Sequence, residues 1–401
     1  MDILPIAYKY RLVILFAISF ISTMMVFRPI LRIALKKNIV DNPNARKLQK
    51  HPVPVMGRIA VFFGIVVGMC FFKSMITYDI LFPVLGVMTV MLFLGCLDDI
   101  LSVRPMTRLA VEMIAAVTMI YGMKMWICNF QGLWGITSVS VPVGIALSII
   151  TFQGILNAIN MIDGIDGLSS SFCMLILGSF GIYFFFAGHY SFSVFAAVLI
   201  GSLLPFFLHN VFGWTTKMFI GDGGTLMMGT AISAMVFMIL SDEQLPGPLS
   251  PGDDFSRIAF ALAVLSIPVG DTLRVMFSRM ARRKSPFSPD KTHLHHLLLK
   301  QGFSYIGITM IEIAMDVLVI AAFLLSWWLG ASLEVQLYVV VGFALLLIFA
   351  VVLVTARVDR TGNVPAALNR VASRSHVERK GLWLKLQKLV DNDFEVEQGG
   401  E

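Results

Sequence analysis

Charge is what this chain has least of. Asp, Glu, Lys and Arg make up 14% of its 401 residues, where a soluble domain carries about 25%. With 57% hydrophobic residues and a mean hydropathy of +0.82, that scarcity excludes an ordinary soluble enzyme, a disordered chain and a coiled coil. Cysteine is scarce too. Cys70, Cys96, Cys128 and Cys173 form no CxxC and lie in or beside apolar runs, so they read as small buried residues rather than a disulfide framework. There is no Walker lysine motif, no GxGxxG, no kinase signature, and no run that alternates as a barrel strand would.

What is present is apolar length. A bilayer core of about 30 Å needs roughly 20 helical residues. Eleven runs qualify as candidates: 12–27, 59–76, 80–97, 109–127, 141–159, 168–187, 192–212, 226–240, 258–275, 305–329 and 337–354. The eighth is short and is expected to start earlier, near Gly221. The first is followed by Arg28-Pro29 and no small-residue cleavage site, so it is expected to be a retained helix. The expected fold is all-α: a polytopic membrane protein of about eleven transmembrane helices, with a membrane domain at 1–356 and a tail at 357–401. In that tail, residues 382–389 suit either an amphipathic helix on the membrane or a solvated one.

Basic residues orient the helices. With the N-terminus outside and the C-terminus cytoplasmic, 26 of the 31 Lys and Arg fall on the inner side, leaving Lys9, Arg11, Lys73, Lys124 and Arg257 outside. Segment 241–256 has four acids and no base and reads as an external loop. The net charge of +6 is therefore a topology signal with some attraction for anionic lipids and substrates. No nucleic-acid partner is expected.

On this topology the unusual polar clusters share the cytoplasmic face, although the carboxylates played no part in orienting the helices. They are Asp98-Asp99, the ladder Asn157, Asn160, Asp163 and Asp166, the turn Gly221-Asp222-Gly223-Gly224-Thr225, Asp271 with Arg274, Arg282-Arg283, and His293, His295 and His296. Adjacent carboxylates near a membrane ask for a cation or a basic partner. Asp and Asn oxygens suit Mg²⁺, completed by water and substrate phosphates. A Gly-rich turn opening a helix offers backbone N–H groups to phosphate, with Thr225 as a candidate cap. Arg and His supply counter-charge for a pyrophosphate. Together they imply phosphoryl transfer at the inner membrane surface. Glu312 and Asp316, one turn apart inside the tenth run, are the best evidence for a transporter instead. Arg108 and Glu112 are spaced to pair along one helix.

Two stretches, NAINMIDGIDGL at 157–168 and SPFSPDKTHLHHLLLKQGF at 285–303, resemble the polyprenyl-phosphate N-acetylhexosamine-1-phosphate transferases. GDGGT and the Asp pair match that family by order and spacing. The similarity runs from about Asp41 to the eleventh run and is greatest to the bacterial undecaprenyl-phosphate N-acetylglucosamine-1-phosphate transferases. The resemblance implies transfer of a sugar 1-phosphate from a UDP-N-acetylhexosamine to a polyprenyl phosphate in the bacterial inner membrane, initiating a surface glycan. It implies Asp222 and Asn160 as ligands of Mg²⁺, or Mn²⁺ in its place, and Asp98, Asp99, Asp163 and Asp166 as catalytic carboxylates. Asn157, Asn160, Asn210, Phe219, Arg282, Arg283, His293, His295 and His296 would bind substrate, Phe219 by stacking on uracil. The membrane is an expected partner and a second copy of the chain a further candidate. The family's first loop carries a His and a Gly where this chain has Gln49 and Arg58. Leu294, interrupting the histidines, separates the chain from the related phospho-N-acetylmuramoyl-pentapeptide transferases.

Overall fold

The computed structural model describes residues 3–41, 52–72, 75–101, 103–241, 254–286, 288, 290–361, 366–376 and 380–391. The basic segment 46–51, with Gln49 and His51, and most of the acidic segment 241–256, with Asp242, Glu243 and Asp253, lie outside the described residues.

The described residues are mostly helical, 78% of them. Chain order is α1 (Ile3–Lys36), β1 (Val40–Asp41), β2 (Val53–Pro54), α2 (Gly57–Cys70), α3 (Met75–Leu101), α4 (Pro105–Met123), β3 (Asn129–Leu133), β4 (Ile136–Ser138), α5 (Val141–Met161), α6 (Leu168–Phe186), α7 (Tyr190–Phe212) and α8 (Gly221–Leu240). Then follow α9 (Arg257–Val264), α10 (Ser266–Ala281), α11 (Leu294–Lys300), α12 (Tyr305–Trp328), α13 (Leu333–Thr361), α14 (Ala366–Ser375) and α15 (Leu382–Asp391). The all-α expectation omitted two antiparallel hairpins, β1 with β2 and β3 with β4. The second turns at Trp134-Gly135, both at positive φ, which suits the twist of a short hairpin.

Among the described residues, nine helices are long and apolar enough to cross a membrane, ten if α9 and α10 count as one bent span. The protein is a multi-pass membrane protein. Two of the eleven expected runs differ in detail. The second stops at Cys70, and fourteen residues of α2 reach only about 21 Å, short of a bilayer core. The ninth breaks at Leu265, where α9 and α10 meet at 75°. The break has a cause elsewhere in the chain. Asp316 on α12 accepts from Ser266 Oγ at 2.8 Å and from the Ile267 N–H at 3.0 Å, so its carboxylate caps the free N-terminus of α10. That role explains an intramembrane acid without a transport pathway.

Helix α8 is the shaft of the bundle and starts at Gly221, as expected. Its span is wholly enclosed, with α3, α5, α2, α6 and α9 around it. Its sequence allows this: apolar and small residues surround the axis, and Thr230 and Ser233 return their hydroxyls to the carbonyls of Leu226 and Gly229. The closest approach is at its first turn. A Cβ on Gly95 of α3 would come within 2.1 Å of the Gly223 nitrogen. Because both residues lack side chains, the end of α3 lies directly against the start of α8.

Candidate active site

That contact brings Asp98 and Asp99, three and four residues past Gly95, beside Asp222. Arginines from two other helices bind the three carboxylates. Arg108 of α4 donates from Nη1 to Asp98 Oδ2 at 2.9 Å and to Asp222 Oδ2 at 2.8 Å. Its Nε donates to Glu112 Oε1 at 3.0 Å, the pairing expected from their spacing. Arg58 of α2 donates from Nη1 to Asp99 Oδ2 and directs Nε at Cys96 Sγ. Arg58 is 3% exposed. It fits because Gly221 and Gly223 are glycines: a Cβ at Gly221, which has φ of 64°, would sit 2.3 Å from Arg58 Nη1. The Gly-rich turn thus makes room for a guanidinium. Thr225 does not cap α8. It donates to the Asp222 carbonyl and accepts from Asn160 Nδ2 at 2.9 Å.

These groups border a cavity of about 810 Å³ lined by residues from well-separated segments. Asp41, Asp98, Asp99, Asp163, Asp166 and Asp222 supply the acidic wall. Arg58, Lys217 and His296 also face it, with Phe219, Tyr305 and Asn210. Ile100, 74% exposed, continues the wall onto the apolar outer surface.

The turn between α5 and α6 delivers the second acidic pair. Helix α5 ends at Met161, and Gly167, at φ of 78°, precedes α6 in a left-handed conformation. Ser169 Oγ donates to Asp163 Oδ1 at 2.5 Å, and Lys217 Nζ donates to Asp166 Oδ2 at 2.5 Å. Enclosure by surrounding protein raises the Asp163 carboxyl above the usual carboxylate range, against the Ser169 bond and with help from Asp222, Asp166 and Asp99. Burial likewise raises Asp166, while Lys217 opposes it. Asn210 of α7 ties this turn to the next one, accepting from the Gly167 N–H at 2.8 Å and donating to the Met218 carbonyl at 3.0 Å. Phe219 is fixed through its backbone, its N–H to Pro54 and its carbonyl to the Gly57 N–H.

The histidine segment is built differently. Asp271 of α10 is 3% exposed and accepts from Arg274 Nε and Nη2, from the Leu294 N–H, and from His293 Nδ1 at 2.9 Å. Arg279 grips Asp290 with two nitrogens and the Pro286 carbonyl with a third. Against desolvation, the bonds from Arg279 and Thr292 hold Asp290 down at about 2. His295 packs on Gly164 of the acidic turn, where a Cβ would lie 2.6 Å from its Nε2. Burial, reinforced by His296 and His293, pushes His295 down to about 3, so it is neutral at pH 7. Burial also lowers His296, with His293 and Lys291 adding to the effect.

The expected site residues therefore divide. Asp98, Asp99, Asp163, Asp166, Asp222, Asn210, Phe219 and His296 line one cavity. Asn160 reaches α8 beside it, and His293 and His295 stand behind its wall. Asn157 bonds back to the Gln153 carbonyl within its own helix. Arg282 and Arg283 are exposed and do not line the cavity. Lys217 and Tyr305 were not anticipated, and Arg58 stood out in the sequence only as an odd residue in its loop. No group of three or more His, Cys, Asp or Glu among the described residues is arranged to hold a metal by itself.

Residues 81–240 match the family model described as glycosyl transferase family 4. Over 279 residues the chain is 29% identical to the undecaprenyl-phosphate alpha-N-acetylglucosaminyl 1-phosphate transferase of Escherichia coli (strain K12), covering 68% of this chain and 72% of that one. The protein of the same name from Yersinia pestis is 26% identical over 307 residues, 76% of this chain and 80% of its own. A Bacillus subtilis (strain 168) protein, named as a probable undecaprenyl-phosphate N-acetylglucosaminyl 1-phosphate transferase, is 28% identical over 299 residues, 74% and 79% of the two chains. The matched region contains α4 to α8 and most of α3, the helices that assemble the acidic wall, and over these residues the chain is similar to the glycosyl transferase family 4 proteins.

Proposed function

We propose that the chain transfers N-acetylhexosamine 1-phosphate, with N-acetylglucosamine as the sugar, from its UDP donor to polyprenyl phosphate. The products are UMP and a lipid-linked sugar diphosphate that starts a cell-surface glycan. The observation that carries this reading is the convergence of six carboxylates with Arg58 and Lys217 on one cavity whose wall runs out to an apolar rim at Ile100. The volume suits a nucleotide sugar. The rim suits a lipid whose phosphate enters sideways. The named activity of the bacterial relatives supports the same reading. The distribution of Lys and Arg supports a cavity on the cytoplasmic face of the inner membrane.

In the reaction, an oxygen of the lipid phosphate forms a bond to the β-phosphorus of the donor. The bond from that phosphorus to the bridging oxygen breaks, and UMP leaves with the electron pair. One pyrophosphate replaces another, so no ATP is required. Among the described residues, Asp222 Oδ1 and Asp99 Oδ1 accept no hydrogen bond, and the side-chain Oδ1 of Asn160 is equally free. Such oxygens fit Mg²⁺, which takes one or two carboxylates and fills its shell with phosphates and water. Asp222 with Asp99 or Asn160 would hold Mg²⁺, or Mn²⁺ in its place, and the ion would offset diphosphate charge. The chain's own cations act alongside. Arg58 and Lys217 turn towards phosphate oxygens, and Phe219 offers its ring to the uracil. Arg108 keeps Asp98 and Asp222 in register, and His296 faces the sugar diphosphate. A lipid phosphate is largely ionised at neutral pH, so Asp98 and Asp99 contribute position and charge more than proton removal.

The test is direct. Purified protein with Mg²⁺, UDP-N-acetylglucosamine and undecaprenyl phosphate should release UMP in proportion to lipid-linked sugar formed. Absence of UMP with every UDP-N-acetylhexosamine, on folded protein, overturns the proposal.

A further inference from the structure

Helix α15 has no place in the chemistry above, yet it is bound to the loop that supplies much of it. Residues 213–220 connect α7 to α8 and present Lys217, Phe219 and Ile220 to the cavity, with Gly221 and Asp222 directly following. At the start of this loop stands the last residue of α15. Asp391 Oδ2 accepts from the Trp214 N–H at 2.9 Å. Its Oδ1 accepts from the Thr216 N–H at 3.2 Å and from Thr216 Oγ1 at 2.8 Å. Thr216 Oγ1 in turn lies 2.9 Å from His209 Nδ1, and the His209 ring stacks on Phe27 of α1 at 3.9 Å between centroids. Thr216 is fully buried and Val390 is 2% exposed. Trp383 meets Phe212 edge-on at 4.7 Å, and Arg28 Nη2 donates to the Val390 carbonyl at 3.3 Å.

One face of α15 therefore packs on α7 and reaches α1, and its C-terminal carboxylate collects the backbone of a loop that is otherwise irregular. The opposite edge of the helix combines exposed apolar and basic side chains. Leu382 and Leu389 are 72% and 67% exposed and lie beside Lys385 and Lys388, a pattern suited to the lipid headgroup region. A carboxylate with three donors from two residues fixes a loop more firmly than any neutral acceptor would. The far end of the same loop is held by Asn210 through the Met218 carbonyl and by Pro54 and Gly57 through Phe219. Between these two anchors stands Lys217.

We propose that α15 is a strut for the active-site loop and that Asp391 is a positioning residue for nucleotide-sugar binding, acting through Trp214 and Thr216 on Lys217 and Phe219. The inference rests on the proposed transferase activity for its kinetic part only.

The experiment uses the full chain in nanodiscs, as wild type, D391A, D391N and W383A. Hydrogen exchange of the loop amides is read first, because it needs no activity. In D391A, exchange at Trp214 and Thr216 should accelerate at least tenfold while α3, α5 and α8 keep wild-type protection. D391N, which retains one acceptor oxygen, should fall between, and W383A should act in the same direction more weakly. Steady-state UMP release is read second. The nucleotide-sugar KM should rise about tenfold in D391A, the loss expected for bonds to a charged group, with a smaller rise in D391N. A helix that served only to stabilise the fold would lower the amount of active enzyme and leave KM unchanged. Wild-type exchange at 214–216 in D391A, or accelerated exchange with KM unchanged, overturns the strut. If wild type itself releases no UMP, the transferase reading fails, and the exchange arm together with UMP affinity by calorimetry, expected to weaken in D391A, still decides the strut.

Discussion

The start of α8 and the segment after α10 contain the same kinds of residues, and they use them in opposite ways. Around Asp222, arginines take one oxygen of each carboxylate, and Asp99 and Asp222 keep their second oxygens towards a cavity. Around Asp271, every strong contact is internal: Arg274, His293 and the Leu294 amide consume both carboxylate oxygens, and both Asp271 and His293 are buried. The first arrangement has capacity left for a ligand. The second is complete by itself and holds the histidine segment against the acidic turn, with His296 as its contribution to the cavity wall. Residue type alone does not separate chemistry from scaffolding; unsatisfied valence towards a cavity does.

Three substitutions sharpen that contrast or break it. D222N should have the largest effect on turnover, a fall of about 10²–10³ in kcat with thermal stability near wild type, because a preorganised electrostatic contact is lost from an open site. Turnover within a few-fold of wild type would remove Asp222 from the chemistry. D271N should act mainly on the fold. Disabling one partner of a buried ion pair costs about 3–5 kcal/mol, so a clear drop in Tm should accompany any loss of activity. Activity lost at unchanged Tm would mean that this network, too, takes part directly. Smallest of all, R282A and R283A should each change kcat/KM less than about twofold, as exposed side chains outside the cavity do when truncated. A tenfold fall in either would show that the loop closes over substrate.

Much of this architecture was legible in the sequence, and the exceptions have physical causes. Apolar runs announce membrane helices because a bilayer leaves the backbone no other hydrogen-bond partner, and the start of α8 at Gly221 follows from the Gly-rich turn. The 75° break at Leu265 was not legible, because its cap comes from Asp316, about fifty residues further along the chain. The shortness of α2 was hidden by Phe71 and Phe72, which extend the apolar run beyond the helix. In the candidate site, the carboxylates could be picked out because acids next to apolar runs are costly. Arg58 could not be assigned a role, since its position depends on the space left by Gly221 and Gly223 across the bundle. Lys217 is a single base in a short loop, and only its 2.5 Å contact with Asp166 marks it.

The complete enclosure of α8 has a consequence for the membrane around it. A helix that touches no lipid has no hydrophobic thickness to match. When the bilayer thins or thickens, the outer helices absorb the mismatch by tilting. The central helix, carrying Asp222 at its tip, keeps its depth. A protein built this way would keep the tip of its central helix at constant depth as acyl-chain composition shifts.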